Sequence, residues 1–166
     1  KIKGDMKNSV GSYRYYLNKP EAVELNLNGL YFNDKEYNIE YIERCIESGW
    51  TVPNAKGHKT FVHEYGHHIA NSLKWLDAGN NKPNYNWCKD FINKVIDNYN
   101  KQYNKNIIFD DLDKLLSTYG SSKEEEAFAE AFAEYFGGEN PRDFAKVFGK
   151  MIEEELKKYI KKRRDD

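Results

Sequence analysis

The chain opens on a period-two alternation of apolar and polar residues and then changes to a helical period. Residues 12–17 are rich in tyrosine, and Val23, Leu25 and Leu27 alternate with Glu24 and Asn26, the pattern of a half-buried strand. Pro20 marks a turn between these segments, and Asn28-Gly29 supplies a hairpin signal before Leu30, Tyr31 and Phe32. The pattern predicts a small antiparallel sheet. From Asn38 the spacing lengthens, with Ile39, Ile42 and Ile46 on one face and Tyr41 and Cys45 beside them, predicting a helix that ends near Gly49. Residues 52–59, containing Pro53 and Gly57, read as a loop before a second helix over about 60–75.

The remainder reads as helical. A polar stretch at 79–86 precedes a helix in which Trp87, Phe91, Val95 and Tyr99 recur. A short segment around Leu112, Leu115 and Leu116 follows, with Asp110 or Asp111 as its N-cap. A helix over 124–136 is stopped by Gly137-Gly138. A last one, opened by Pro141, turns Phe144, Val147, Phe148, Ile152, Leu156 and Ile160 inward. The fold class is therefore α+β, one domain of 166 residues with a sheet-and-helix part at 1–57 and a helical part at 58–166.

Charge narrows the functional classes. The net charge is −1, so no global field points to nucleic acid or to an anionic membrane. Lys157, Lys158, Lys161, Lys162, Arg163 and Arg164 crowd the C-terminus but follow Glu153, Glu154 and Glu155, the composition of a solvated helix end. No apolar run approaches the ~18 residues of a membrane span. Cys45 and Cys88 each fall inside an amphipathic pattern, where a thiol acts as a small apolar residue, and neither belongs to a metal-spaced cysteine motif. The chain starts at Lys1 rather than Met, as in a processed product or an excised domain.

One segment carries chemistry. His63, Glu64, Tyr65, Gly66 and His67 form H-E-x-x-H on the 60–75 helix. Histidines four apart stand ~6 Å apart along a helix axis, so both imidazoles reach one metal ion. Catalytic zinc keeps three protein ligands and lowers the pKa of water from ~15.7 towards ~7, and a carboxylate beside it can take the proton. Glu64 has that position. Gly66 and Ala70 share the histidine face and leave room for another helix to approach. The third ligand is sought in the later helix EEEAFAEAFAEYF. There Phe128, Phe132 and Tyr135 form an apolar stripe and Glu126, Ala129, Glu130 and Ala133 a small, acidic face. One of its glutamates would bind zinc and the other support the site from behind.

The HEYGH helix, followed by Tyr119-Gly120-Ser121-Ser122-Lys123-Glu124-Glu125-Glu126-Ala127-Phe128-Ala129-Glu130, resembles the zincin-like catalytic domains of the anthrax lethal factor family. That family also includes clostridial Pro-Pro endopeptidases and domains of phage head proteins and toxins. The resemblance covers about a quarter of the residues and implies a zincin fold, a small antiparallel sheet packed on the H-E-x-x-H helix. It implies His63, His67 and Glu126 as Zn2+ ligands, Glu64 as general base, Tyr119 as donor to the oxyanion, and Glu130 as a supporting residue. It further implies a zinc endopeptidase acting on a peptide or protein, as a monomer or as part of a larger protein; a secreted, virion-borne or toxin-delivered setting is favoured over a cytoplasmic one. A substrate strand is expected to add to the sheet along residues 22–27. His68 lies ~100° around the helix from the ligand face, and His58 lies in the preceding loop; neither is expected to ligate. The competing reading is a non-catalytic module in which zinc only ties two helices together. That reading needs a fourth protein ligand, and the sequence offers no obvious one.

Overall fold

The computed structural model describes residues 2–3, 6, 9–17, 19–53, 58–79 and 82–165, with side chains described as far as residue 159. Strands β1 (Ile2–Lys3), β2 (Gly11–Tyr16) and β3 (Lys19–Asn28) form one sheet in the order β1-β3-β2. Helices α1 (Gly29–Phe32), α2 (Lys35–Glu47), α3 (Lys59–Asp77) and α4 (Trp87–Tyr103) follow. After a 3-10 turn at Phe109–Asp111 come α5 (Leu112–Leu115), α6 (Glu124–Gly137) and α7 (Asp143–Asp165). The fold is α+β and mostly helical.

The sheet departs from expectation at three points. β2 and β3 pair antiparallel as the alternation requires, with Ser12 opposite Asn26 and Tyr13 opposite Leu25, but β1 joins β3 in parallel, so the sheet is mixed. Pro20 lies inside β3 rather than in a turn, close to the register shift between Tyr15 and Tyr16, where the loss of one donor is tolerated. Asn28-Gly29 does not turn a hairpin. The Asn28 side chain accepts the Leu30 N–H and donates to the Ser9 carbonyl, so it caps α1, and 30–32 are helical instead of a third strand. The same capping logic starts α2 three residues earlier than expected, because the Asp34 carboxylate accepts the Tyr37 N–H.

The core lies among α3, α4, α6 and α7. Leu73, Phe91, Ile92, Phe128, Phe148 and Ile152 are all buried there. Burying one such side chain contributes ~1.5–3 kcal/mol relative to leaving it exposed. The predicted stripe of α4, Trp87, Phe91, Val95 and Tyr99, is buried throughout. This helix ends on Asn104, whose φ of 48° is the left-handed C-terminal conformation that asparagine tolerates. Asp111 sits before α5, yet its carboxylate caps the preceding turn by accepting the Ile108 N–H. Pro141 stands two residues ahead of α7 rather than at its first position. Arg142, between them, bonds the buried Glu134 through Nε and Nη2 at 2.8 and 2.7 Å and the Leu116 carbonyl at 2.6 Å. This clasp ties α6 and α7 to the loop that carries Tyr119. Ile160 and the basic residues from Lys161 onward lie outside the described side chains.

Gly66 explains how α3 and α6 come together. A Cβ at this position would lie 3.1 Å from Ala129 Cα and 3.2 Å from Phe132 Cβ, and backbone cannot give way as a flexible side chain can. Gly66→Leu should therefore separate the two helices that carry the polar cluster and lower the melting temperature by roughly 5–10 °C, the effect of overpacking a close contact. Thermal denaturation of the purified variant checks this, and a melting temperature at or above wild type would contradict the packing argument.

Candidate metal centre and cleft

The close approach of α3 to α6 brings three potential ligand atoms together. His63 Nε2 lies 3.1 Å from His67 Nε2 and 3.1 Å from Glu126 Oε2, and His67 Nε2 lies 3.2 Å from the same oxygen. These residues form a cluster able to hold a metal ion. Bonds of ~2.0–2.1 Å at tetrahedral angles put ligand atoms ~3.3 Å apart, so the observed spacing fits zinc. Tautomer chemistry agrees. His63 Nδ1 lies 2.8 Å from Glu130 Oε1, an acceptor, so in the neutral ring the proton sits on Nδ1 and Nε2 presents a lone pair to the Glu126 carboxylate. Two lone pairs at that distance call for a cation or a proton between them.

Glu130 is completely buried and is the hub of the support. Oε2 accepts from Thr51 Oγ1 at 2.7 Å, the Val52 N–H at 2.9 Å and Ser117 Oγ at 2.9 Å, while Oε1 takes His63 and Lys59 Nζ. Burial alone would raise its pKa, but the Lys59 ammonium and His63 hold it well below the carboxylate range. Glu126 behaves alike: burial pushes up, His63 and His67 pull further down, and the net shift is downward. For His63, burial and Lys59 favour the neutral ring, yet Glu126 and Glu130 outweigh them and raise its pKa.

These directions set a pH dependence for the metal-free protein. A depressed carboxylate contributes stability that is fully present above its unfolded pKa of ~4.3 and is lost as pH falls toward the folded value. His63, being raised, contributes stability present below ~6.5 and lost as pH rises through its folded value. Metal-free protein should accordingly be most stable between about pH 5 and 6.5, with Glu130→Gln flattening the acid limb of a plot of melting temperature against pH. An acid limb of unchanged slope in that variant would count against the hub.

Glu64 is buried beside the cluster, and burial raises its pKa despite the opposing pull of His63 and His67. It borders two clefts. One, of about 520 Å³, runs past His67, Glu126 and Tyr119 to Asn71 and Lys74; the other, of about 200 Å³, runs past His63 to Tyr41, Cys45 and Trp50. Tyr119 faces both. Its ring stacks on Trp50 and on His63 at centroid distances of 5.4 and 5.7 Å. Burial and Glu126 raise its pKa, so the hydroxyl keeps its proton at neutral pH. Backbone bonds from Thr118 N to Gly49 O and from Tyr119 N to Trp50 O, each 3.0 Å, fix this loop to the end of α2.

The strand that lines the larger cleft is β2, whereas the segment 22–27 belongs to β3, which β1 pairs only at Leu27 and Asn28. Gly11 is what lets β2 descend on α3: a Cβ there would lie 2.8 Å from Glu64 Oε1. The bond from Asn28 N to Val10 O makes Val10–Asn28 a bonded pair. By antiparallel alternation, the backbone groups of Gly11, Tyr13 and Tyr15 then point to the outer edge. His58 is exposed at the start of α3, away from the cluster, and His68 Nδ1 lies 3.2 Å from Tyr13 Oη; neither joins the ligand atoms.

The sequence reading brought forward His63, Glu64, His67, Tyr119, Glu126 and Glu130, and these six are neighbours in space. It missed Lys59, Thr51, Ser117 and Gly11. Lys59, one helical turn before His63 on the same face, had a periodic signal; the other three reach the site from separate segments and had none. Among the described residues no helix is long and apolar enough to cross a membrane. In comparisons with known proteins, the chain matches no protein-family model, no curated protein and no solved structure.

Proposed function

We propose that this domain is a zinc-dependent endopeptidase of the zincin type, akin to the anthrax lethal factor family. The observation that carries this reading is the triangle of His63 Nε2, His67 Nε2 and Glu126 Oε2, with edges of 3.1–3.2 Å, opening on a cleft that Glu64 and Tyr119 also line. When bound there, zinc supplies Lewis acidity that makes water a nucleophile near neutral pH and polarises a carbonyl.

The chain's own residues then have distinct tasks. Glu64, its carboxylate pKa raised by burial, takes the proton from the attacking water and delivers it to the leaving nitrogen. Tyr119 keeps its phenolic proton and donates a hydrogen bond to the oxygen on which negative charge builds. Glu130 holds the His63 tautomer through Nδ1. The outer edge of β2 receives an extended peptide by backbone pairing, which positions the scissile bond without reading its side chains.

The alternative, a module in which zinc only ties α3 to α6, calls for a fourth protein ligand. Among the described residues the metal-competent cluster has three members, which favours an open, catalytic position. Elemental analysis tests the ligand assignment: about one zinc per chain in the wild type, and loss of it in His63→Ala, His67→Ala and Glu126→Ala. Full zinc content at wild-type affinity in these variants would remove the foundation of the proposal.

A further inference from the structure

The residue that lies over the Glu64 carboxylate is a glycine, and the space a side chain would fill there is taken by that carboxylate. A Cβ on Gly11 would lie 2.8 Å from Glu64 Oε1, 3.0 Å from Glu64 Cγ and 2.7 Å from Thr60 Cγ2. Thr60 stands one turn before Glu64 on α3, so the backbone of β2 rests on two successive turns of that helix. This seat is anchored on both sides of the contact. Asn28, wholly buried, donates from Nδ2 to the Ser9 carbonyl at 2.8 Å and from its backbone N–H to the Val10 carbonyl at 2.9 Å. Ser9 Oγ donates to the Gly11 carbonyl, and the ladder continues with Ser12 opposite Asn26. The strand is therefore the fixed partner. The Glu64 side chain, with its rotatable bonds, is the part that yields to anything added at Gly11.

From this geometry we infer that Gly11 is a positioning residue: its bare backbone sets the place of the Glu64 carboxylate, and with it the distance over which the base reaches the attacking water. The inference rests on the peptidase reading and adds to it a residue that acts through Glu64. Proton transfer to a base requires heavy atoms ~2.6–3.2 Å apart, and a misplacement of ~1 Å costs up to ~10²-fold in rate. An alanine at this position would push Glu64 Oε1 from 2.8 Å to the 3.4 Å of an ordinary contact, a displacement of at least about 0.6 Å. The alanine keeps the backbone N–H that faces the outer edge of β2, so pairing with a peptide is preserved while the base is moved. A glycine needed only for close packing of β2 on α3 predicts something different: its loss would act through stability, whether or not Glu64 is present.

The test is a double-mutant cycle in a Thr60→Ser background, which removes the methyl group at 2.7 Å and leaves the Glu64 side chain as the nearest neighbour of the new Cβ. In zinc-loaded protein, Gly11→Ala should lower kcat ~10-fold or more, with KM within about threefold and zinc content unchanged. Once Glu64→Gln is added there is no base left to misplace, and Gly11→Ala should then alter the residual rate by less than about twofold. As a readout independent of turnover, a crystal structure of metal-free Gly11→Ala protein in the same background should show Glu64 Oε1 displaced by at least about 0.6 Å, with His63, His67 and Glu126 in place. An unchanged kcat, a loss of equal size with and without Glu64, or a carboxylate that has not moved overturns the positioning role and leaves the peptidase reading standing. Failure of the zinc-loaded wild-type chain to cleave any peptide overturns the peptidase reading, and the role of Gly11 with it.

Discussion

Zinc-loaded Glu64→Gln protein should turn over peptide at least ~10²-fold more slowly than wild type while keeping its zinc. The substitution preserves the shape of a side chain that is 7% exposed, and it removes the carboxylate proposed to accept the water proton. Glu64 is absent from the ligand triangle, so metal content should not change. Steady-state kinetics with parallel metal analysis separates the outcomes. Activity near wild type would reject Glu64 as the base, and coupled loss of zinc and activity would move it into the ligand set.

The largest structural effect is expected at Glu130. Replacement by alanine leaves the Lys59 ammonium without its carboxylate in a buried setting and strips partners from Thr51, Val52, Ser117 and His63. Breaking a buried ion pair by removing one partner costs about 3–5 kcal/mol. For a chain of this size that lowers the melting temperature by roughly 6–20 °C, and zinc affinity should fall ~10–100-fold because His63 loses the acceptor that fixes its tautomer. Lys59→Met combined with Glu130→Gln should recover part of the stability without restoring zinc affinity, since it removes the stranded charge but not the need to orient His63. Chemical denaturation of both variants checks this. A Glu130→Ala protein as stable as wild type would show that the buried network is not the anchor of the site.

What the sequence revealed and what it hid divide along a physical line. Elements whose logic is local were legible: the HEYGH helix from its i, i+4 histidines, the acidic and alanine face of α6 from the same periodicity, the β2 strand from its run of tyrosines and β3 from alternation. Asn28-Gly29 misled because asparagine serves hairpin turns and helix N-caps equally well, and here its side-chain bonds to Leu30 and Ser9 select the cap. Strand order was hidden because it depends on where the N-terminal β1 docks, a non-local pairing that no alternation records. The contacts around Glu130 were hidden for the same reason. Thr51 and Ser117 reach it from loops on opposite sides of the sequence, and only the folded chain brings three segments onto one carboxylate.

The central claim, that the cluster between α3 and α6 hydrolyses peptide bonds, is tested most directly by counting new amino termini in a denatured protein incubated with the domain. The account predicts that termini accumulate with zinc-loaded wild-type protein, cease after chelation, return when zinc is restored, and fail to appear with zinc-loaded Glu64→Gln protein. New termini appearing at the same rate in the chelated or Glu64→Gln samples, or none appearing with a wild-type domain that holds one zinc per chain, would contradict it.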